Sequence, residues 1–339
     1  MTVSIVKKAI KKVVTSSVVT LVLINEALAI QPTLNLLAPD NYISPELIEI
    51  FEEKSHSELN ITYYPSADVR DVLLKTGKFD LFITDEKSAL DVILSGKALP
   101  LTLEQAKRNP QSKNNNLQNH AMELSRDYLG VAYIKDKTLM PASWKEVFSL
   151  PQRMSGHVLI PDNHDDVMDA ALIATGASVT RYTETEIIEA GKTLRNFVLR
   201  LSPTSTPVPQ QDYYYEITTS TNAYNESLTN PQLEFVFPGG ETRVRKHYII
   251  SLRRAKNAKL SGDFIAMISS KTMAMGQAQH HHFPVSNTEA SESLMLMPDT
   301  ATLFDFVYPK MGVESQNSRH VETRLEWKKH YIYKRVMNQ

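Results

Sequence analysis

Residues 161 to 172 read PDNHDDVMDAAL, four aspartates crowded where an apolar run, His157 to Ile160, passes into a helix-like pattern. Carboxylates at this spacing have two uses. They accept from the free N–H groups of a helix start and complement its positive end, or they are aimed at a cation. With Asn163 as N-cap, Asp165 and Asp166 fall at N2 and N3, so helix capping accounts for most of the stretch without a ligand. Asp169, one turn further on, is expected to be solvated.

Three other clusters carry chemistry. Phe237 to His247 reads FPGGETRVRKH; its Arg243, Arg245 and Lys246 would repel a polycation, and either bind an anion or lie along an exposed strand. His280-His-His282 invites a metal, but three consecutive residues seldom converge on one ion and partners at zinc-site spacing are missing, so no metal is expected. In Asp212-Tyr-Tyr-Tyr215, alternate residues of an extended segment face opposite ways, so at most two rings could wall a common cleft, and strand packing is the expected use. No nucleophile motif, paired-carboxylate spacing or glycine-rich phosphate loop stands out, and neither enzyme activity nor a cofactor is expected.

The first 29 residues read as an export signal: Lys7, Lys8, Lys11 and Lys12, then the apolar run Val13 to Ile24, then Ala27-Leu-Ala29 as a small-x-small cleavage site. The run is short for a membrane span. Cleavage after Ala29 predicts a soluble, periplasmic chain beginning at Ile30. Without those lysines and Glu26, the 37 basic and 38 acidic residues reduce to a net charge of about −4, which offers nucleic acid no basic face. There is no cysteine, hence no disulfide, thiolate metal site or lipid-carrying thiol. The remaining length is enough for two lobes with separate cores.

These residues must be positioned by alternating elements. Strands are expected at Thr33–Leu37, Asn60–Tyr64, Phe79–Ile83, Leu129–Tyr133, His157–Ile160, Leu233–Phe237 and Tyr248–Ser251. Helices are expected after Ser44-Pro45, over Asp68–Lys75, Ser88–Leu94, Glu184–Leu199 and Ala255–Ser270, and from Thr323 onward, with a capping box at Ser143-Trp-Lys-Glu146. Alternation of this kind predicts α/β lobes built on mostly parallel sheets.

Several stretches resemble the periplasmic spermidine/putrescine-binding proteins of polyamine ABC transporters. They are Leu34 to Phe51 (LNLLAPDNYISPELIEIF), Gly77 to Ile83 (GKFDLFI), Ser143-Trp144 leading to Ser155–Asp162 (SGHVLIPD), and His282 to Asn287 (HFPVSN). Their order and spacing match over nearly the whole chain after the signal. The resemblance implies a two-lobed, type II-like periplasmic-binding fold with hinge crossovers: residues 30–132 plus 247–286 in lobe 1, and 133–246 plus 287–339 in lobe 2. It implies a ligand bound rather than converted, closure by hinge motion, and an ABC permease or membrane-bound sensor as partner to a monomeric receptor.

In that family, ammonium groups lie between aromatic faces and carboxylates. Tyr42 falls on a pocket tyrosine and Asp166 on a pocket carboxylate, Asn163 replaces a second pocket aspartate, and Asp85 adds an acid after the third strand. Pro39 stands where the family has a tryptophan, and Arg245 and His247 where it has an aromatic and an aspartate. The ligand-contacting set is therefore expected to be Tyr42, Asp85, Asn163, Asp166, Arg245 and His247, with a polyamine as ligand; an anionic or zwitterionic solute held by Arg245 and His247 is the alternative. A periplasmic enzyme or a ligand-free interaction subunit is the alternative outside the class.

Overall fold

The computed structural model describes residues 31–109, 114–151, 154, 157–161, 164–200, 213–239, 241–297, 314–317 and 323–337. The signal expected over residues 1–29 and the coil expected over 202–210 lie outside them.

The chain opens with β1 (Thr33–Pro39), α1 (Pro45–Ser55), β2 (Glu58–Tyr64), α2 (Ala67–Lys75), β3 (Leu81–Asp85) and α3 (Glu86–Leu94). β1 lies between β2 and β3, parallel to both, and its Leu34, Leu36, Leu37 and Ala38 are fully buried, as both faces of a covered strand require. Ser44 caps α1 with Pro45 at the first turn, Ser66 caps α2, and Asp85 caps α3.

Next come α4 (Leu103–Arg108), α5 (Asn115–His120), β4 (Ala121–Ile134), α6 (Trp144–Phe148), β5 (Val158–Leu159), α7 (His164–Ala174), α8 (Glu184–Arg200), β6 (Tyr215–Thr219), α9 (Ser220–Ser227) and β7 (Leu233–Val236). After β8 (Glu241–Ser251), the chain closes with α10 (Ala258–Ile268), α11 (Lys271–His281), α12 (Thr288–Met295), β9 (Glu314–Asn317) and α13 (Thr323–Met337).

The strands follow the order β2-β1-β3-β8-β4-β6-β5, with β7 beside β4 and β9 beside β8. The outer strands β1 to β3 pair in parallel, as expected, but four of the eight pairings among the described strands are antiparallel, so the sheets are mixed rather than mostly parallel. β4 and β8, which carry the chain across between the lobes, run antiparallel to each other. β4 pairs with β8 from Ala121 to Tyr128 and with β6 from Leu129 onward. One core gathers Leu129, Val131, Trp144, Val167, Ile187, Phe197 and Tyr333 around the second lobe; two others lie on either face of the first lobe's sheet, around Phe51 and Phe264 and around Phe82 and Tyr248. Both tryptophans belong to the second lobe, Trp144 buried and Trp327 66% exposed on α13. The Phe235 ring of β7 lies over Gly130, where a Cβ would sit 2.3 Å from it.

β4 and β8 are both longer than the sequence pattern suggested. Residues 241 to 247 alternate part-buried Glu241, Arg243, Arg245 and His247 with buried Thr242, Val244 and Lys246. Period two is present, but charged residues occupy it on both faces, so apolar periodicity does not reveal it.

Candidate functional site

The part-buried face of β8 turns Arg243 and Arg245 toward α7. Arg245 clamps Asp166 with two contacts, Nε to Oδ1 at 2.8 Å and Nη2 to Oδ2. Arg243 pairs with Asp169 through Nη1, and Lys329 of α13 reaches the same carboxylate from the other side at 2.9 Å. Lys329 also lies 3.2 Å from Asp165 and 5.5 Å from the centre of the Tyr182 ring. Asp169 is therefore completely buried rather than solvated, because two cations from distant segments neutralise it. Burial would raise the Asp165 carboxyl, but Lys329 and Arg243 outweigh it and hold the pKa far below the carboxylate range. Asn163 lies outside the described residues.

The facing wall comes from the first lobe. Asp85 ends β3 directly opposite His247 of β8. Its Oδ1 accepts from the Ser88 amide at 2.9 Å, and its Oδ2 accepts from Ser88 Oγ at 3.0 Å and from Arg70 Nη1 at 2.7 Å. Part-burial pushes this carboxyl up, while Arg70 and the Ser88 donors more than offset that and lower its pKa. Tyr42 is buried, its ring stacked on Phe283 and 5.3 Å from the tilted ring of His247. Its hydroxyl shares a 2.6 Å hydrogen bond with Ser125 Oγ, which lies 3.4 Å from His247 Nδ1. Burial lowers the His247 pKa, with Arg245 adding to the effect against Asp127 and Asp85. Asp127, the next acid along, accepts from Ser220 Oγ and from the backbone at the start of α9.

Five of the six expected residues thus lie along one strand and its two walls: Tyr42, Asp85 and His247 on the first-lobe side, Asp166 and Arg245 on the other. Sequence reasoning missed Arg70 and Lys329, and did not foresee that Arg243 would be engaged by Asp169; together the three neutralise the acids. The tyrosine run stays out of this region: Tyr213 and Tyr215 are buried, and Tyr214 stacks on His157 at 4.2 Å.

Behind the strand, buried Glu123 of β4 accepts from Arg126 Nε (2.6 Å), Ser286 Oγ (2.8 Å), Lys246 Nζ (3.0 Å) and the Tyr248 hydroxyl (3.3 Å). Residues 284–286 pair with β4 at the same level, where its register slips between Glu123 and Ser125. One carboxylate thus fastens three chain crossings together. Across the lobes, Lys87 lies 3.6 Å from Glu326, and His282 Nδ1 is 2.6 Å from Asn225 Oδ1. Among the described residues, no group of three His, Cys, Asp or Glu side chains could hold a metal, and no helix is long and apolar enough to cross a membrane.

No protein-family model and no curated protein matches the chain. Solved structures do. A spermidine/putrescine ABC transporter substrate-binding protein, PotD, from Streptococcus pneumoniae superposes with TM-score 0.76 at 17% identity, over 91% of this chain and 99% of that one. The TpPotD lipoprotein of Treponema pallidum gives 0.73 at 15%, over 90% and 99%. A binding protein from A. tumefaciens R10 in complex with agropinic acid gives 0.65 at 12%, over 91% and 100%. At these identities the likeness is one of fold: the chain has the two-lobed α/β architecture of ABC-transporter substrate-binding proteins, as its sequence motifs implied.

Proposed function

We propose that the protein is a periplasmic solute-binding protein that closes on a small amine-bearing solute and presents the closed form to a membrane partner, an ABC permease or a membrane-bound sensor. The observation that carries the reading is the strip from Arg243 to His247, flanked by both lobes and lined with charge, at the level where the chain crosses between them. Ligands of α/β proteins lie in such crevices. Polyamines are the first solutes to test, since two of the fold neighbours carry spermidine/putrescine or PotD names. In this reading Tyr42 supplies an aromatic wall, Asp85 and Asp166 face the amines, and the lobes divide near residues 132 and 246 and again near 286. The chain works as a monomer, exported by residues 1–29, and binds without converting its ligand.

The test is a thermal-shift and calorimetric screen of the chain from Ile30 onward against polyamines, amino acids and ω-amino acids. At least one is expected to bind at micromolar concentration or better and to raise the melting temperature. A silent screen overturns the receptor reading and favours a ligand-free interaction subunit.

A further inference from the structure

Resting on that receptor reading, we infer that Arg70 and Arg245 determine specificity: as tethered counter-cations on Asp85 and Asp166, they restrict the cleft to solutes whose ammonium group is accompanied by a carboxylate. The Asp166 side chain is 3% exposed, and the Arg245 guanidinium forks onto it while remaining 27% exposed itself. Asp85, 47% exposed, is held at 2.7 Å by Arg70, which is only 12% exposed. The other nearby acids are engaged or closed off. Asp71 is taken by Arg70 Nε at 2.9 Å, Asp165 and Asp169 belong to Lys329 and Arg243, Asp127 accepts from Ser220 Oγ and the Thr221 amide, and the unpartnered Oε2 of Glu86 is shut off from solvent.

A polyamine brings positive charge only. To use Asp166 it must displace a bidentate guanidinium and leave Arg245 partly buried beside its own ammonium. Removing one partner of such a pair weakens binding on the order of a hundredfold or more. A zwitterion exchanges partners one for one. Its carboxylate takes the Arg245 fork, geometry that guanidinium suits, while its ammonium takes the released carboxylate, and no charge is left alone. His247 stands between the two arginine sites, and its lowered pKa keeps the ring neutral at pH 7, so it does not repel the ammonium. Asp85 faces His247, and Arg245 lies two residues further along the same strand face, roughly 7 Å away. That separation keeps the two ion pairs apart, and the same one-for-one exchange is open to a zwitterion at Asp85 and Arg70.

Calorimetry on the wild type, Arg70→Gln, Arg245→Gln and the double variant, each titrated with 4-aminobutyrate, 5-aminovalerate, lysine, putrescine and spermidine, tests the inference. The wild type is expected to bind one of the three carboxylate-bearing solutes at least a hundredfold more tightly than either polyamine. The double variant is expected to lose that preference and gain at least tenfold for spermidine or putrescine. Arg245→Lys, which keeps the charge and loses the fork, should retain the preference at reduced affinity; it also serves if Arg245→Gln fails to fold. Tighter polyamine binding by the wild type, or a preference unchanged in Arg70→Gln and Arg245→Gln, overturns this inference and leaves the receptor reading standing. No heat from any solute with any variant overturns both.

Discussion

Replacing Lys329 with methionine removes the ammonium shared by Asp165, Asp169 and Glu326 and leaves Asp169 buried with one cation instead of two. The expected loss is about 3–5 kcal/mol, because an uncompensated buried charge costs far more than the pair contributes. It should appear as a fall in the urea midpoint, and Asp169→Asn added to Lys329→Met should restore part of it. A loss below about 1 kcal/mol would mean that the aspartates are solvated after all. The acids of this cluster were legible in the sequence, since they follow an apolar strand at helix-start spacing. Their partner was not recognised, although a signal existed: Leu325, Lys329, Tyr333 and Val336 share one helical face, and Lys329 is the charged residue on it. Only spatial proximity shows that the inward lysine meets a helix 160 residues earlier. Arg70 and Asp85 illustrate the same limit: in the sequence Asp85 reads as a free pocket acid, and Arg70 draws no notice within its helix. Only the packing of α2 beside the end of β3 shows that the two pair and that Asp85 also caps α3.

β4 and β8 set the relation between the lobes, and Glu123 is where they are fastened. Glu123→Gln would leave Lys246, 5% exposed, without its carboxylate and weaken the grip on residues 284–286. A loss of about 3 kcal/mol is expected in chemical denaturation, with a wider spread of lobe angles in small-angle scattering. If both readouts match the wild type, the crossings are held by their backbone pairing alone. The sequence predicted α1 to α3, α8, α10, α13 and the outer strands because their apolar spacing is regular, and did not show the short α4, α5 and α9, which have little of it. It underestimated these two strands because their crossing segments carry Glu, Arg, Lys and His on both faces, a pattern that makes sense only once each charge has a partner.

For the whole molecule, the pH dependence of stability follows from groups that burial forces to hold protons. Burial, aided by Glu123 and Asp85 and opposed by Lys246 and Arg243, raises the Glu86 carboxyl from 4.5 to about 7. Glu216 moves the same way through burial and the adjacent Glu226. A carboxyl raised in the folded state binds a proton that the unfolded chain has released, so the contribution of these two groups is most favourable below pH 4.5 and declines as pH rises toward 7. Paired acids such as Asp85 and Glu123 act oppositely: their lowered values stabilise the fold above the ordinary carboxylate range, and that stability is lost at lower pH. Glu86→Gln is therefore expected to flatten the fall in melting temperature between pH 5 and 7, leaving the part due to Glu216. An unchanged slope would mean that Glu86 is ionised throughout.

The placement of the two tryptophans has an optical consequence. Both indoles belong to the same lobe, one sealed in its interior and the other stacked on Tyr331 in open solvent, so neither emission band should change when a solute enters between the halves. Quenching titrations on the native chain would look flat even at saturation. A Pro39→Trp fluorophore at the end of β1, close to Tyr42, would turn occupancy into signal.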